Sequence, residues 1–163
     1  MDEPWLREFV RESNRIEGID REPLHGEIAA TYYIIHLPTV TVDDLCAFVS
    51  VCAPGHRLRD KPNLNVRVGN HIAPRGGPAI RKALEGLLAR AETIGSYRLH
   101  VEYEMLHPFT DGNGRSGRAL WMWWKQRHAP TYERRQAERL LFLHTFYYEA
   151  LSAERRAPEE REQ

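Results

Sequence analysis

Apolar residues recur at helical spacing along most of the chain. Trp5, Leu6, Phe9, Val10 and Ile16 lie behind Pro4, a favoured first-turn residue, and Gly18 closes the run. Leu24 to Leu37 reads as a second helix, stopped before Pro38. Thr41 to Ala53 reads as a third, with Thr41 and Asp44 as a capping box and Pro54-Gly55 as its end. Between residues 54 and 78 the pattern changes. Prolines and glycines crowd this segment, and inside it LNVRVGNHI alternates Leu64, Val66 and Val68 with polar residues before Gly69-Asn70, a two-residue hairpin signal. Helical spacing returns at Pro78–Glu92, Tyr97–Leu106, Arg115–Arg127 and Tyr132–Leu151, ahead of a charged tail, RRAPEEREQ. The expected class is all-α: a helical bundle with one small β-hairpin.

The 163 residues suit a single domain with a real core. Twenty-three basic and 23 acidic side chains cancel, so the basic excess of a typical nucleic-acid binder is missing. No nucleic-acid partner is expected. No apolar run approaches the roughly 18 residues of a membrane span, and the charged start is unlike a signal peptide. The two cysteines, Cys46 and Cys52, lie six apart on one helix and do not face each other. Free, buried thiols in a reducing cytosol are expected, so the localisation reads as cytoplasmic, or as delivery into another cell's cytosol.

The candidate chemistry lies in HPFTDGNGRSGR, His107 to Arg118. Gly112-Asn113-Gly114 joins two helical patterns, and a glycine-rich turn at a helix N-terminus gathers backbone N–H groups into an anion site. Arg115 and Arg118, three apart, suit phosphate oxygens. Asp111 would repel those phosphates unless a cation intervened, which points to Mg²⁺ held by one carboxylate and phosphate oxygens. His107 is the side chain best suited to take a proton near neutral pH. Together these groups form a compact site for attack of a hydroxyl on a nucleotide phosphate. Gly112, Gly114 and Gly117 also fit the GxGxxG dinucleotide fingerprint. That reading needs a preceding strand in a βαβ unit, and YRLHVEYEMLHPF supplies none.

HPFTDGNGRSGR resembles the signature of the Fic family, HPFx(D/E)GNGRxxR, at every fixed position: His107, Pro108, Phe109, Asp111, Gly112, Asn113, Gly114, Arg115 and Arg118. The resemblance implies transfer of AMP from ATP to a Ser, Thr or Tyr hydroxyl of a protein, with pyrophosphate released. It makes His107 the general base and Asp111 the Mg²⁺ ligand. Gly112, Asn113 and Gly114 become the anion hole, with Arg115 at the β-phosphate and Arg118 at the γ-phosphate. Phe109 is implied to be a buried anchor for the loop.

The hairpin is similar to the family's flap. Residues Asn65, Val66, Arg67, Val68, Gly69 and Asn70 would receive a protein target by strand addition. SNRIEG, Ser13 to Gly18, is similar to the family's inhibitory motif, (S/T)xxxE(G/N). Glu17 would then pair with Arg118, occupy the γ-phosphate's guanidinium and push the α-phosphate out of line, with Ser13 fixing Glu17 by hydrogen bonding or packing.

The implied organisation is an inhibitory helix over 1–20, a Fic core over 21–152 and the tail over 153–163. Self-modification and a homodimer are compatible with the family. The alternatives are transfer of phosphate or UMP, removal of AMP from a modified protein, or a dormant regulatory ATP-binding protein of toxin–antitoxin type.

Overall fold

A computed structural model describes residues 4–69 and 71–128. Among these residues the fold is a bundle of seven helices with one two-stranded antiparallel hairpin. In chain order the elements are α1 (Pro4–Ile16), α2 (His25–His36), α3 (Val42–Cys52), β1 (Arg67–Val68), β2 (His71–Ile72), α4 (Pro78–Ala89), α5 (Ala91–Ile94), α6 (Ser96–Leu106) and α7 (Asn113–His128). The expected class, all-α with a small hairpin, is what the chain adopts. The expected helix over 132–151, the tail and Asn70 lie outside the described residues.

Local chemistry explains most boundaries. Thr41 Oγ1 accepts the Asp44 amide at 3.2 Å, while the Asp44 carboxylate accepts the Thr41 amide at 2.9 Å. Two of the orphan amides that open α3 are thereby satisfied. Pro78 opens α4 in its first turn. The apolar run from Pro78 to Glu92 is broken at Arg90, which separates α4 from the single turn of α5. The hairpin is shorter than its alternation: only Arg67↔Ile72 and Val68↔His71 pair, across a two-residue turn opened by Gly69 at φ 58°.

The main core joins α2, α3, α4, α6 and α7 through Ile34, Leu45, Phe48, Leu84, Leu99, Tyr103, Leu120 and Trp123. Phe109, just before the glycines, is fully buried in this core. A second cluster holds α1: Leu6, Phe9 and Val10 pack on Ile28, Ile35 and Met122. Trp121 and Trp124 pack at the edges of the two clusters, so the tryptophans after the glycine motif serve the core. Both cysteines are free; burial pushes the Cys52 thiol up to about 12.

Below α1 lies a polar latch. Glu27 is buried and accepts a bidentate pair from Arg21 at 2.8 and 2.9 Å. It also accepts the Leu24 amide at 2.8 Å and Asn14 Nδ2, from α1, at 3.2 Å. Burial raises its pKa, but the Arg21, Leu24 and Asn14 hydrogen bonds outweigh burial and leave the carboxyl below its usual value. α1 is therefore docked by an apolar face and by a buried hydrogen bond.

Candidate active site

The glycine motif lies between α6 and α7. His107 caps α6 in a left-handed conformation, φ 47° and ψ 61°, with its amide donating to Tyr103 O at 2.9 Å. That conformation is uncommon for a residue with a Cβ and costs on the order of 1 kcal/mol or more. Pro108 then bars continuation of the helix. The chain turns, buries Phe109 and re-enters helix at Asn113. The Asn113 side chain shapes this turn: Oδ1 accepts the Phe109 amide at 2.8 Å and Nδ2 donates to Phe109 O at 2.9 Å.

Gly112 has φ 79°, and a Cβ there would lie 2.9 Å from Ala53 Cβ, so both conformation and space favour glycine. The first intrahelical bond of α7 runs from Ser116 N to Gly112 O at 3.0 Å. The amides of Asn113, Gly114 and Arg115 precede it and make the helix N-terminus suited to an anion. Further along, Gly117 lets α7 approach α6: a Cβ would fall 2.6 Å from Glu104 Oε1 and 3.0 Å from Tyr103. Tyr103 Oη donates to Ser116 Oγ at 2.7 Å, and Ser116 Oγ donates in turn to Gly112 O at 2.8 Å. Burial raises the Tyr103 phenol well above its usual pKa, so it stays neutral.

Arg118 is 1% exposed and aims at the end of α1. Its Nε donates to Ser13 Oγ at 2.8 Å, and Nη2 donates to Ser13 O at 2.8 Å and Glu17 Oε1 at 2.6 Å. Ser13 therefore bonds Arg118 through its hydroxyl and its carbonyl, and Arg118 in turn bonds Glu17. Glu17 lies one residue beyond α1, in the turn closed by Gly18 at φ 75°. Its carboxylate covers Gly114, where an added Cβ would be 2.1 Å from Glu17 Oε1. Arg115 turns the other way: it is buried, and Nη1 donates to Cys52 O at the end of α3.

Asp111 stays outside, with its side chain 58% exposed. Its Oδ1 accepts the Gly112 amide at 2.6 Å, and Oδ2 lies 3.7 Å from His56 Nε2. Among the described residues no group of three or more His, Cys, Asp or Glu side chains could hold a metal ion. The exposed Asp111 carboxylate is a hard oxygen donor, of the kind Mg²⁺ accepts alongside ligand oxygens and water.

The stem of the hairpin is bound to the motif. Residues 57–59 run antiparallel to 108–110: Arg59 N donates to Pro108 O, and Thr110 N donates to Arg57 O. His71 Nε2 lies 2.9 Å from Met105 O; a carbonyl can only accept, so this nitrogen carries a proton. Three polar residues of this neighbourhood are absent from the sequence reading: Arg59, His71 and Glu104. Arg59 is fully buried, and Glu104 is 4% exposed with Oε2 3.8 Å from His107 Nδ1. A lone Arg in a proline-rich loop, a His on a two-residue strand, or a Glu on a helix carries no spacing signal.

The family model for Fic/DOC matches residues 39–124, more than half of the chain. The chain belongs to the Fic/DOC family. No curated protein and no solved structure matches it. The matched span of this Fic/DOC protein runs from just before α3 through the hairpin and most of α7, and so contains the whole glycine motif. Family membership makes it a Fic-type transferase of nucleotide-derived groups. The dinucleotide-fold reading falls away, because α6 and not a strand precedes Gly112. Among the described residues no helix is long and apolar enough to cross a membrane.

Proposed function

We propose that this Fic protein transfers AMP from Mg-ATP to a Ser, Thr or Tyr hydroxyl of a protein, and that Glu17 holds it in an inhibited state. The observation that carries the reading is the 2.6 Å pair between Glu17 and Arg118 over Gly114. A buried guanidinium at a helix N-terminus is a receptor for anionic oxygen, and here a carboxylate from α1 occupies it.

In the reaction, His107 takes the proton of the target hydroxyl. Its oxygen forms a bond to the α-phosphorus, the bond from that phosphorus to the bridging oxygen breaks, and pyrophosphate leaves. Glu104 Oε2, 3.8 Å from Nδ1, favours the positive charge His107 gains. The amides opening α7 hold phosphate oxygens. Arg118, once free of Glu17, takes the terminal phosphate. Bound at Asp111, Mg²⁺ would supply charge neutralisation for the phosphates. Arg115 acts on the phosphates only if it leaves Cys52 O; in its present place it joins α7 to α3. The flap presents the target, in the family's manner of strand addition.

Inhibition follows from position. With Glu17 on Arg118, the terminal phosphate has neither its cation nor the space above Gly114. A nucleotide entering beside the carboxylate lies displaced, and a misplacement of about 1 Å costs ~100-fold in rate.

The distinguishing experiment uses ATP labelled on the α- or the γ-phosphate, with Glu17→Gly, Mg²⁺ and a cell lysate as target. Protein label from the α-position alone supports AMP transfer. Label from the γ-position alone means phosphate transfer and removes this reading.

A further inference from the structure

We infer that Arg59 is a positioning residue that fixes the flap against His107, so that a docked hydroxyl meets the base in register. The inference rests on the AMP-transfer reading for its purpose and on Arg59's own contacts for its substance.

Arg59 lies in the loop between α3 and the hairpin, and it is 0% exposed. Its guanidinium makes four hydrogen bonds, all to backbone carbonyls. Nε donates to His107 O at 2.6 Å and Nη2 to Leu106 O at 2.8 Å. Nη1 donates to Leu64 O at 3.1 Å and to Pro74 O at 2.8 Å. Leu64 and Pro74 are the two stems of the flap, before β1 and after β2. Leu106 and His107 are the end of α6, where carbonyls lack helical partners. One side chain thus joins both stems to the residue proposed as base.

Burying this charge is costly. No described acid pairs with Arg59, and burial alone lowers its pKa. An apolar side chain of similar size would fill the space without desolvating a cation. The charge finds its compensation in the negative end of α6 and in four carbonyls. Lysine cannot replace it, because its single nitrogen cannot span carbonyls on opposite sides.

His107 has supports of its own. Its amide bonds Tyr103 O, and Arg59 N bonds Pro108 O through the backbone, which a side-chain change leaves intact. The hairpin has other ties, His71 Nε2 with Met105 O and Gly77 N to Arg59 O, but Leu64 O and Pro74 O are joined to the end of α6 through the guanidinium. Loss of Arg59 should therefore loosen the flap relative to a histidine that stays in place. Transfer to a flap-docked protein requires that register, whereas attack by water on the same α-phosphate does not.

The test compares Arg59→Met and Arg59→Lys with the parent, all on Glu17→Gly. Three quantities are read: AMP transfer to a protein target, release of AMP by water, and hydrogen exchange of flap amides 66–72. The expected result is a ~100-fold loss of protein transfer. The water reaction and the KM for ATP should stay near the parent's, and flap exchange should be faster. Equal loss of both reactions would make Arg59 a residue of the fold only and overturn the inference. Unchanged transfer with unchanged exchange, in either variant, would overturn it as well. If the Glu17→Gly parent moves no AMP at all, the functional reading fails instead. Flap exchange still judges Arg59 in that case: faster exchange supports its hold on the flap, and unchanged exchange refutes it.

Discussion

Glu17 and Arg118 are 101 residues apart in sequence, and their side chains meet at 2.6 Å. The pair does not hold α1 in place. Arg118 is buried but keeps its two bonds to Ser13 without Glu17, and Glu17 is about one-third exposed, so losing the carboxylate costs about 1–2 kcal/mol. Leu6, Phe9 and Val10 are nearly fully buried, and each such side chain contributes about 1.5–3 kcal/mol. The apolar face therefore outweighs the ion pair several-fold. Glu17→Gly should leave α1 docked and lower Tm by no more than about 8 °C. Thermal melts beside activity assays check this; a large fall in Tm would mean that the variant acts by unfolding the helix.

Releasing α1 itself requires its apolar face. Phe9→Ala should cost about 3–5 kcal/mol of stability and raise transfer even with Glu17 intact. The paired readout is Tm and AMP transfer. Lower stability without higher transfer would separate the docking of α1 from inhibition.

The latch at Glu27 has a pH signature. Its folded pKa is depressed, so its contribution is complete above the unfolded value, near 4.3, and is lost as pH falls through the folded value. Wild type should melt higher than Glu27→Gln at neutral pH, and the gap should close on acidification below about pH 4. A gap that stays constant down to pH 3 would contradict the assignment.

Asp111 is the proposed holder of Mg²⁺. Asp111→Asn should lose most AMP transfer and need more Mg²⁺ to recover any, while its Tm stays near wild type because the side chain is mostly exposed. Magnesium titrations of rate settle the point; an unaltered Mg²⁺ dependence would remove Asp111 from that role.

Much of this fold is legible because local rules agree with tertiary ones. Pro4, the Thr41–Asp44 box, Pro78 and the turn at Gly69 mark elements that form where the sequence places them. The break at Arg90 was not legible, because apolar spacing continues across it. Leu64 and Val66 alternate as a strand would, yet pairing begins only at Arg67. The glycine motif shows its candidate anion-binding groups in the residue types and their order. Its supports do not: Asn113 bonds Phe109, Ser13 bonds Arg118 and Arg59 bonds four carbonyls through contacts the fold creates. An arginine among prolines and glycines reads as solvated until the chain closes around it.

The central claim is that His107 directs AMP transfer and that Glu17 restrains it. Its most direct test is the initial rate of α-phosphate label entering protein from Mg-ATP, for wild type, Glu17→Gly and Glu17→Gly with His107→Ala. The account predicts a low rate for wild type, a rate ~100-fold higher for Glu17→Gly, and none above background for the double variant. Equal rates for wild type and Glu17→Gly would contradict the inhibition, and label that survives the loss of His107 would contradict the mechanism.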